Sequence, residues 1–142
     1  MMTIDLIEKY PGAGMFKFGD SAELCARLNS LVRKGKKTAT CGALRDFSAG
    51  GEDMPVVGRC DIACNWDGSP AVVIRTISVE RMAFDAIGKD FALAEGENED
   101  YKGWRNDHIE FFKRNGGFTG KMEIVCERFE VVEDLAEWEQ AE

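Results

Sequence analysis

Apolar residues recur along this chain with two different periods, and the alternation between them outlines a mixed α and β protein. Residues 3–10 read as a short amphipathic helix closed by Pro11 and Gly12, and residues 15–18 as a brief extended segment. Leu24, Leu28, Leu31 and Val32 then fall at helical spacing, with Asp20 and Glu23 as a capping box and Gly35 as the stop. β-Branched and small residues over 38–44 predict a strand, followed by a glycine-rich loop that runs to Pro55. Cys60, Ile62, Cys64 and Trp66 alternate with polar or small neighbours. Asp67-Gly68-Ser69-Pro70 is a turn into the β-rich run 71–79, which completes a hairpin. Between Ile74 and Ile77 the apolar phase passes from even to odd positions, the mark of a bulge in a curved sheet, so a barrel is expected rather than a flat sheet.

The second half continues with helical turns over 84–94 and the acidic loop Glu95-Gly96-Glu97-Asn98-Glu99-Asp100, whose four carboxylates repel one another unless a cation adjoins them. Tyr101, Trp104, His108, Phe111 and Phe112 share one helical face ended by Asn115-Gly116-Gly117. Residues 118–132 predict a long strand with Val125, Phe129 and Val131 on one side and Met122, Ile124 and Cys126 on the other, both sides at least partly covered. Residues 133–142 predict an acidic, solvated tail. With 142 residues and 44% hydrophobic content, a single domain is expected over 1–142, its core about 18–132.

Charge sharpens this outline. The formal net charge is -8, yet between Glu23 and Asp46 the chain carries six Arg or Lys and no acid. That segment, centred on Gly35-Lys36-Lys37-Thr38-Ala39-Thr40, is the natural receiver of an anionic or carbonyl-bearing ligand, although cations after a helix C-terminus also compensate its dipole. The acidic balance argues against holding an extended DNA or RNA by charge, because polymer affinity depends on many neutralised phosphates. A nucleoside or a short RNA element is the partner that fits. Residues 1–10 lack the basic start and apolar run of a signal peptide, and no run approaches the ~20 residues that span a membrane, so a cytoplasmic location is expected.

The five cysteines are odd in number and scattered through apolar segments, which predicts free thiols. Cys60 and Cys64, four apart on a strand, stand ~13 Å from each other, too far to share zinc. No metal and no cofactor is expected. His108, on an aromatic helix face, reads first as a hydrogen-bonded core residue. Tyr101, Trp104, Phe111 and Phe112 read as packing before they read as a stacking platform. Arg45 and Phe47, in the loop beside the basic motif, are candidate ligand contacts together with Lys36.

In order along the chain, Gly35-Lys36-Lys37-Thr38-Ala39-Thr40 as a G-x-K-x-x-T pattern, Ala94-Glu95-Gly96-Glu97, then Trp104, His108, Phe111 and Phe112, and finally Val125-Cys126-Glu127-Arg128-Phe129 resemble a bacterial subgroup of the ASCH domain family. The resemblance covers about residues 18–132. It implies an α+β fold, a PUA-like β-barrel of mixed, mostly antiparallel strands flanked by helices, with a cleft beside the motif. It also implies RNA-related roles: one branch hydrolyses the amide of N4-acetylcytidine with a lysine and threonine of this motif and a glutamate from the later acidic loop, and another is a ribonuclease. By position the implied catalytic residues are Lys37, Thr40 and Glu97, with Glu95 competing for the glutamate role and otherwise a substrate contact. A non-catalytic RNA-binding module is the remaining alternative.

The residues themselves can supply amide hydrolysis, which needs a nucleophile, a base and a proton donor. Thr40 as nucleophile and Lys37 as base requires the lysine to lose its preference for charge, through burial or through neighbouring cations such as Lys34, Lys36 or Arg45. On a regular strand Lys37 and Thr40 would point to opposite faces, so the strand has to begin irregularly or the lysine bend around.

Overall fold

The computed structural model describes residues 2–47 and 54–135, with the side chains of residues 2–5 left aside. Its elements follow the order α1 (Met2–Lys9), β1 (Met15–Phe16), α2 (Ala22–Arg33), β2 (Ala39–Ala43), β3 (Cys60–Cys64), β4 (Pro70–Ala83), α3 (Lys89–Ala94), α4 (Tyr101–Arg114) and β5 (Glu123–Asp134), with 3-10 turns at Leu44–Phe47 and Phe84–Ala86. The five strands form one sheet in the order β1-β3-β4-β5-β2, antiparallel except for the β1/β3 pair. The α+β arrangement is the expected one. Hydrogen bonding does not join β1 to β2, so the sheet stays open, and its curvature comes from bulges.

One bulge lies where the apolar phase slips. β4 pairs Thr76 with Phe129 and then Ser78 with Arg128, which leaves Ile77 as the extra residue and 51% exposed. A second shift, between Val73 and Ile74, skips Val132 on β5, and Val131 and Val132 are consequently exposed rather than covered. The long bent strands β4 and β5 can therefore serve clusters on both faces. Phe84, Trp104, Phe112, Ile124 and Cys126 pack beneath α4, whereas Phe18, Leu28, Val32, Ile74 and Phe129 pack beneath α2. Leu6, Ile62, Val73 and Leu135 close one end.

Several boundaries differ from expectation, and β4 runs on to Ala83 rather than ending at residue 79. The last strand begins at Glu123 because residues before it turn, with the Met122 amide donating to the Thr119 carbonyl at 3.2 Å. It runs on through Asp134, Glu133 accepts hydrogen bonds from Lys9 and Tyr10, and Leu135 is fully buried, so the solvated tail does not start at 133. Residues 136–142, the remainder of that predicted tail, and 48–53 of the glycine-rich loop lie outside the described residues. Finally, α2 is capped by Ser21, whose Oγ accepts from the Leu24 amide at 3.2 Å. Asp20 instead takes Arg114 at 2.7 Å and Asn115 at 2.8 Å, tying the start of α2 to the end of α4. The hydroxyl one residue later wins the cap because Asp20 has better donors elsewhere.

Ser21→Ala is accordingly expected to destabilise the protein by about 1 kcal/mol in urea unfolding, and Glu23→Ala by less than half of that; the reverse order would restore the capping box to Asp20 and Glu23.

Candidate active site

The segment after α2 is fixed at both ends before it becomes a strand. Gly35 takes φ +76°, and the amides of Lys36 and Lys37 both donate to the Leu31 carbonyl, at 3.0 and 3.1 Å. The Thr38 amide donates to the Ala94 carbonyl at 2.8 Å, and the Phe129 amide to the Thr38 carbonyl at 3.0 Å. β2 begins only at Ala39, so Lys37 lies before the regular strand and the alternation rule does not separate it from Thr40. Opposite it, α3 ends at Ala94 and the chain reverses at Gly96, φ +72°. A Cβ at Gly96 would collide with the Lys36 carbonyl and come within 2.8 Å of the Lys37 nitrogen, so only glycine lets these two turns touch.

Their contact joins the lysine to the acidic loop. Lys37 is 1% exposed, and its Nζ lies 3.0 Å from Glu95 Oε1 and 2.8 Å from Glu97 Oε2. The Phe18 ring lies 5.8 Å below the ammonium. Trp104 Nε1 donates to Glu95 Oε2 at 3.0 Å, and His108 Nε2 lies 3.3 Å from the same oxygen. The other ring nitrogen, Nδ1, is 2.8 Å from the Trp104 carbonyl. A carbonyl faces one ring nitrogen of His108 and a carboxylate the other, surroundings that favour the doubly protonated ring. Arg27 holds the Glu97 backbone carbonyl at 2.9 Å, and Asp100 caps α4 through the Gly103 amide at 2.7 Å. The acidic loop is thus partly neutralised by Lys37 and partly spent on a helix cap.

The electrostatics follow from these distances. Burial works hardest against the Lys37 ammonium, but Glu95 and Glu97 together overcome it and hold the group protonated above its ordinary value. The cationic neighbours expected to weaken its charge are absent: Lys34 and Lys36 are exposed, and Arg45 donates to the carbonyls of Asn115 and Gly117 at 3.2 and 2.8 Å. Burial likewise opposes the Glu95 carboxylate, yet Lys37 and His108 push it well below the carboxylate range. For His108, burial again opposes charge, and the hydrogen bond and charge of Glu95 raise it above its usual value. Burial, reinforced by Glu95, keeps the Cys41 thiol protonated.

A cleft of two lobes, about 240 and 250 Å³, opens beside this network. Thr40, Cys41, Phe18, Gly19 and Phe111 line both lobes, so the two adjoin along these residues. Lys37, Glu95, Glu97 and His108 line one lobe; Phe47 lines the other, with Asp46, Arg59, Asp61 and Glu127. Of the residues singled out in the sequence, Lys37, Thr40, Glu95 and Glu97 come together, Phe47 stands across the cleft, and Lys36 and Arg45 stay outside it. Periodicity placed His108 correctly on the aromatic face but could not reveal that this face ends on Glu95. Glu127 lay inside a recognisable stretch, but its partner Thr76 depends on strand register.

Cys41, Glu95 and His108 offer ligand atoms within 4.8 Å of one another. Glu95 already spends both oxygens on Lys37, Trp104 and His108, and a divalent ion would enter beside two cations. The donor set is built for protons rather than for a metal.

The fold and this motif-bearing cleft define an ASCH domain. The chain matches the ASCH domain family over residues 14–133 and belongs to it. It is 31% identical to the ASCH domain from Lactobacillus crispatus JV V101, with a TM-score of 0.78 over 89% of this chain and 84% of that one. It is 33% identical to protein EF3133 from Enterococcus faecalis V583, with a TM-score of 0.83 over 97% of this chain and 90% of that one. The fold is PUA-like, as these neighbours are. No curated protein sequence matches the chain. The ASCH domain points to an RNA-related function, and among the described residues no helix is long and apolar enough to cross a membrane.

Lys37→Met is expected to cost about 3–5 kcal/mol in urea unfolding, because it leaves the Glu95 carboxylate buried without its ammonium, and adding Glu95→Gln should return part of that loss. The sign with pH is fixed by the two shifts. A depressed carboxylate stabilises above its ordinary 4.5, and a raised lysine below its ordinary 10.5, so the advantage over Lys37→Met is full between these values and shrinks on acidification below the first and on alkalinisation above the second. Additive losses, or no pH dependence, would contradict the ion network.

Proposed function

We propose that this cleft hydrolyses the amide of a modified nucleoside, most specifically N4-acetylcytidine or a close analogue. The observation that carries the reading is Lys37, a buried ammonium bracketed by two carboxylates in the lobe that Thr40 also lines. A lysine held protonated is a poor resting base, so the base is one of its carboxylate neighbours. Glu97 suits that role, since its side chain is 13% exposed and lines the lobe, whereas Glu95 is 2% exposed with both oxygens engaged.

In the first step Thr40 Oγ1 attacks the acyl carbonyl carbon, its proton passes to Glu97 directly or through water, and the Lys37 ammonium, buried behind the two carboxylates with its three donors engaged, acts on the oxyanion through its charge rather than by a hydrogen bond. Collapse breaks the C–N bond, and the amine leaves with the proton returned by Glu97. Water then attacks the threonyl ester, Glu97 takes its proton and passes it to Thr40 Oγ1 as the acyl C–Oγ1 bond breaks, and acetic acid departs and ionises to acetate. Glu95 acts as a positioning residue that fixes Lys37 and His108. A substrate without phosphates also accords with a chain of net charge -8, which repels a polyanion away from the local basic segment.

Chromatographic detection of cytidine and acetate from N4-acetylcytidine tests the proposal. Glu97→Gln should lower kcat by about 10²–10⁴-fold with a smaller loss of melting temperature than Glu95→Gln, and Thr40→Ala should abolish turnover. Glu95→Gln should lower stability as well as rate. No turnover by wild type at high enzyme concentration would overturn the assignment; cleavage of single-stranded RNA that falls with salt would give the site to a ribonuclease, and binding of RNA without turnover to a recognition module.

A further inference from the structure

The lobe on the far side of Thr40 contains a second group of polar side chains that the hydrolytic scheme leaves unused. Glu127 lies in β5 directly opposite Thr40 in β2. Because the Phe129 amide bonds the Thr38 carbonyl, the alternation of antiparallel pairs makes Thr40 and Glu127 a hydrogen-bonded pair as well, with Cα atoms ~5.5 Å apart and side chains on one face of the sheet. Thr76, on the next strand, donates from Oγ1 to Glu127 Oε2 at 2.7 Å and fixes the carboxyl from the other side. Among the described residues no side chain donates to Oε1.

The surroundings select the kind of ligand. Asp61, 7% exposed, accepts from the Arg59 guanidinium at 3.0, 3.1 and 3.2 Å and from the Gly14 amide at 2.8 Å. The Arg59 guanidinium is therefore already matched by a carboxylate. Lys17, the other cation of the lobe, has its ammonium 5.0 Å over the Trp66 ring. Against these two stand Asp46, Asp61 and Glu127. A phosphate entering here would meet more carboxylates than cations, whereas a neutral planar group would find aromatic walls in Phe16, Phe47 and Phe111. Burial, with Asp61 adding to it, raises Glu127 above the usual carboxylate value despite the opposing Thr76 hydrogen bond and Arg59.

We infer that Glu127 is a recognition residue: with Thr76 holding one oxygen, its carboxyl accepts a hydrogen bond from a neutral heterocycle or ribose in this lobe, and so selects an unphosphorylated nucleoside over a nucleotide. The inference deepens the hydrolase reading and rests on it, since the same cleft would place the amide at Thr40 and the rest of the nucleoside against Glu127. The hydrogen can come from the exocyclic amino N–H of the base or from a ribose O–H, and the probes below separate the two.

Titration calorimetry with cytidine, cytosine and cytidine 5′-monophosphate tests this without depending on turnover. Wild type should bind cytidine about ten-fold or more tightly than the monophosphate. Glu127→Ala should weaken cytidine by about ten-fold, and Thr76→Val should weaken it in the same direction. Glu127→Gln, which keeps shape and an acceptor, should retain cytidine binding while narrowing its preference over the monophosphate. A loss on Glu127→Ala that is also seen with cytosine assigns the hydrogen to the exocyclic amine of the base; a loss confined to cytidine assigns it to ribose. Equal binding of cytidine and the monophosphate by wild type, unchanged cytidine affinity in a folded Glu127→Ala variant, or no binding of either cytidine or cytosine would overturn the inference. Cytidine binding that obeys this pattern in a protein that never cleaves N4-acetylcytidine would support Glu127 as the recognition residue and remove the hydrolase reading alone.

Discussion

The arrangement of this molecule turns on one buried ammonium. Lys37 has essentially no contact with solvent, and it sits there because Glu95 and Glu97, 58 and 60 residues further along the chain, supply carboxylates at 3.0 and 2.8 Å. Neither side tolerates the other's loss, since a charge buried alone costs far more than the pair gains over an apolar substitute. The pair is therefore better understood as a constraint on geometry than as a source of stability. It requires the turn after α2 to touch the turn after α3, which in turn requires glycine at 96. It also requires α4 to present Trp104 and His108 to the far oxygen of Glu95.

The same constraint prepares chemistry. Glu95, a carboxylate already engaged by Lys37, Trp104 and His108, is the less available of the two to a substrate. The glutamate two residues later faces the cleft with less burial. Placing both on one tight turn gives a single loop two jobs, and the positive φ of Gly96 between them brings both carboxylates to the ammonium. Thr40 enters from the sheet, and residues of four strands, β1, β2, β3 and β5, line the lobe that holds Glu127.

How much of this could be read from the chain depends on the range of the interaction. Local periodicity gave the helix ended by Gly35, the hairpin around Asp67-Gly68, the bulge near Ile77 and the aromatic face of α4, because each is decided within a few residues. The G-x-K-x-x-T pattern drew attention to Lys37 and Thr40, and the acidic loop to Glu95 and Glu97. What stayed hidden was set by distant partners. Asp20 gave up its cap to Ser21 because Arg114 and Asn115 were close in space. Lys37 was expected among cations because its sequence neighbours are cationic, whereas packing surrounded it with acids. Arg45, adjacent to the motif in sequence, spends itself on the carbonyls after α4. Spacing could place His108 on a packed face without showing that the face carries a charge.

Lys37 rests as an ammonium held by carboxylates, and the proposed chemistry leaves the acid–base work to Glu97. A pH titration of the Lys37 side chain by ¹⁵N and ¹³C NMR in the intact protein, assigned with Lys37→Arg, tests this most directly. The Lys37 signals are predicted to remain those of an ammonium up to and beyond the ordinary lysine value of 10.5. Loss of the proton well below that value, toward neutral pH, would make Lys37 itself the base and contradict the assignment of that work to Glu97.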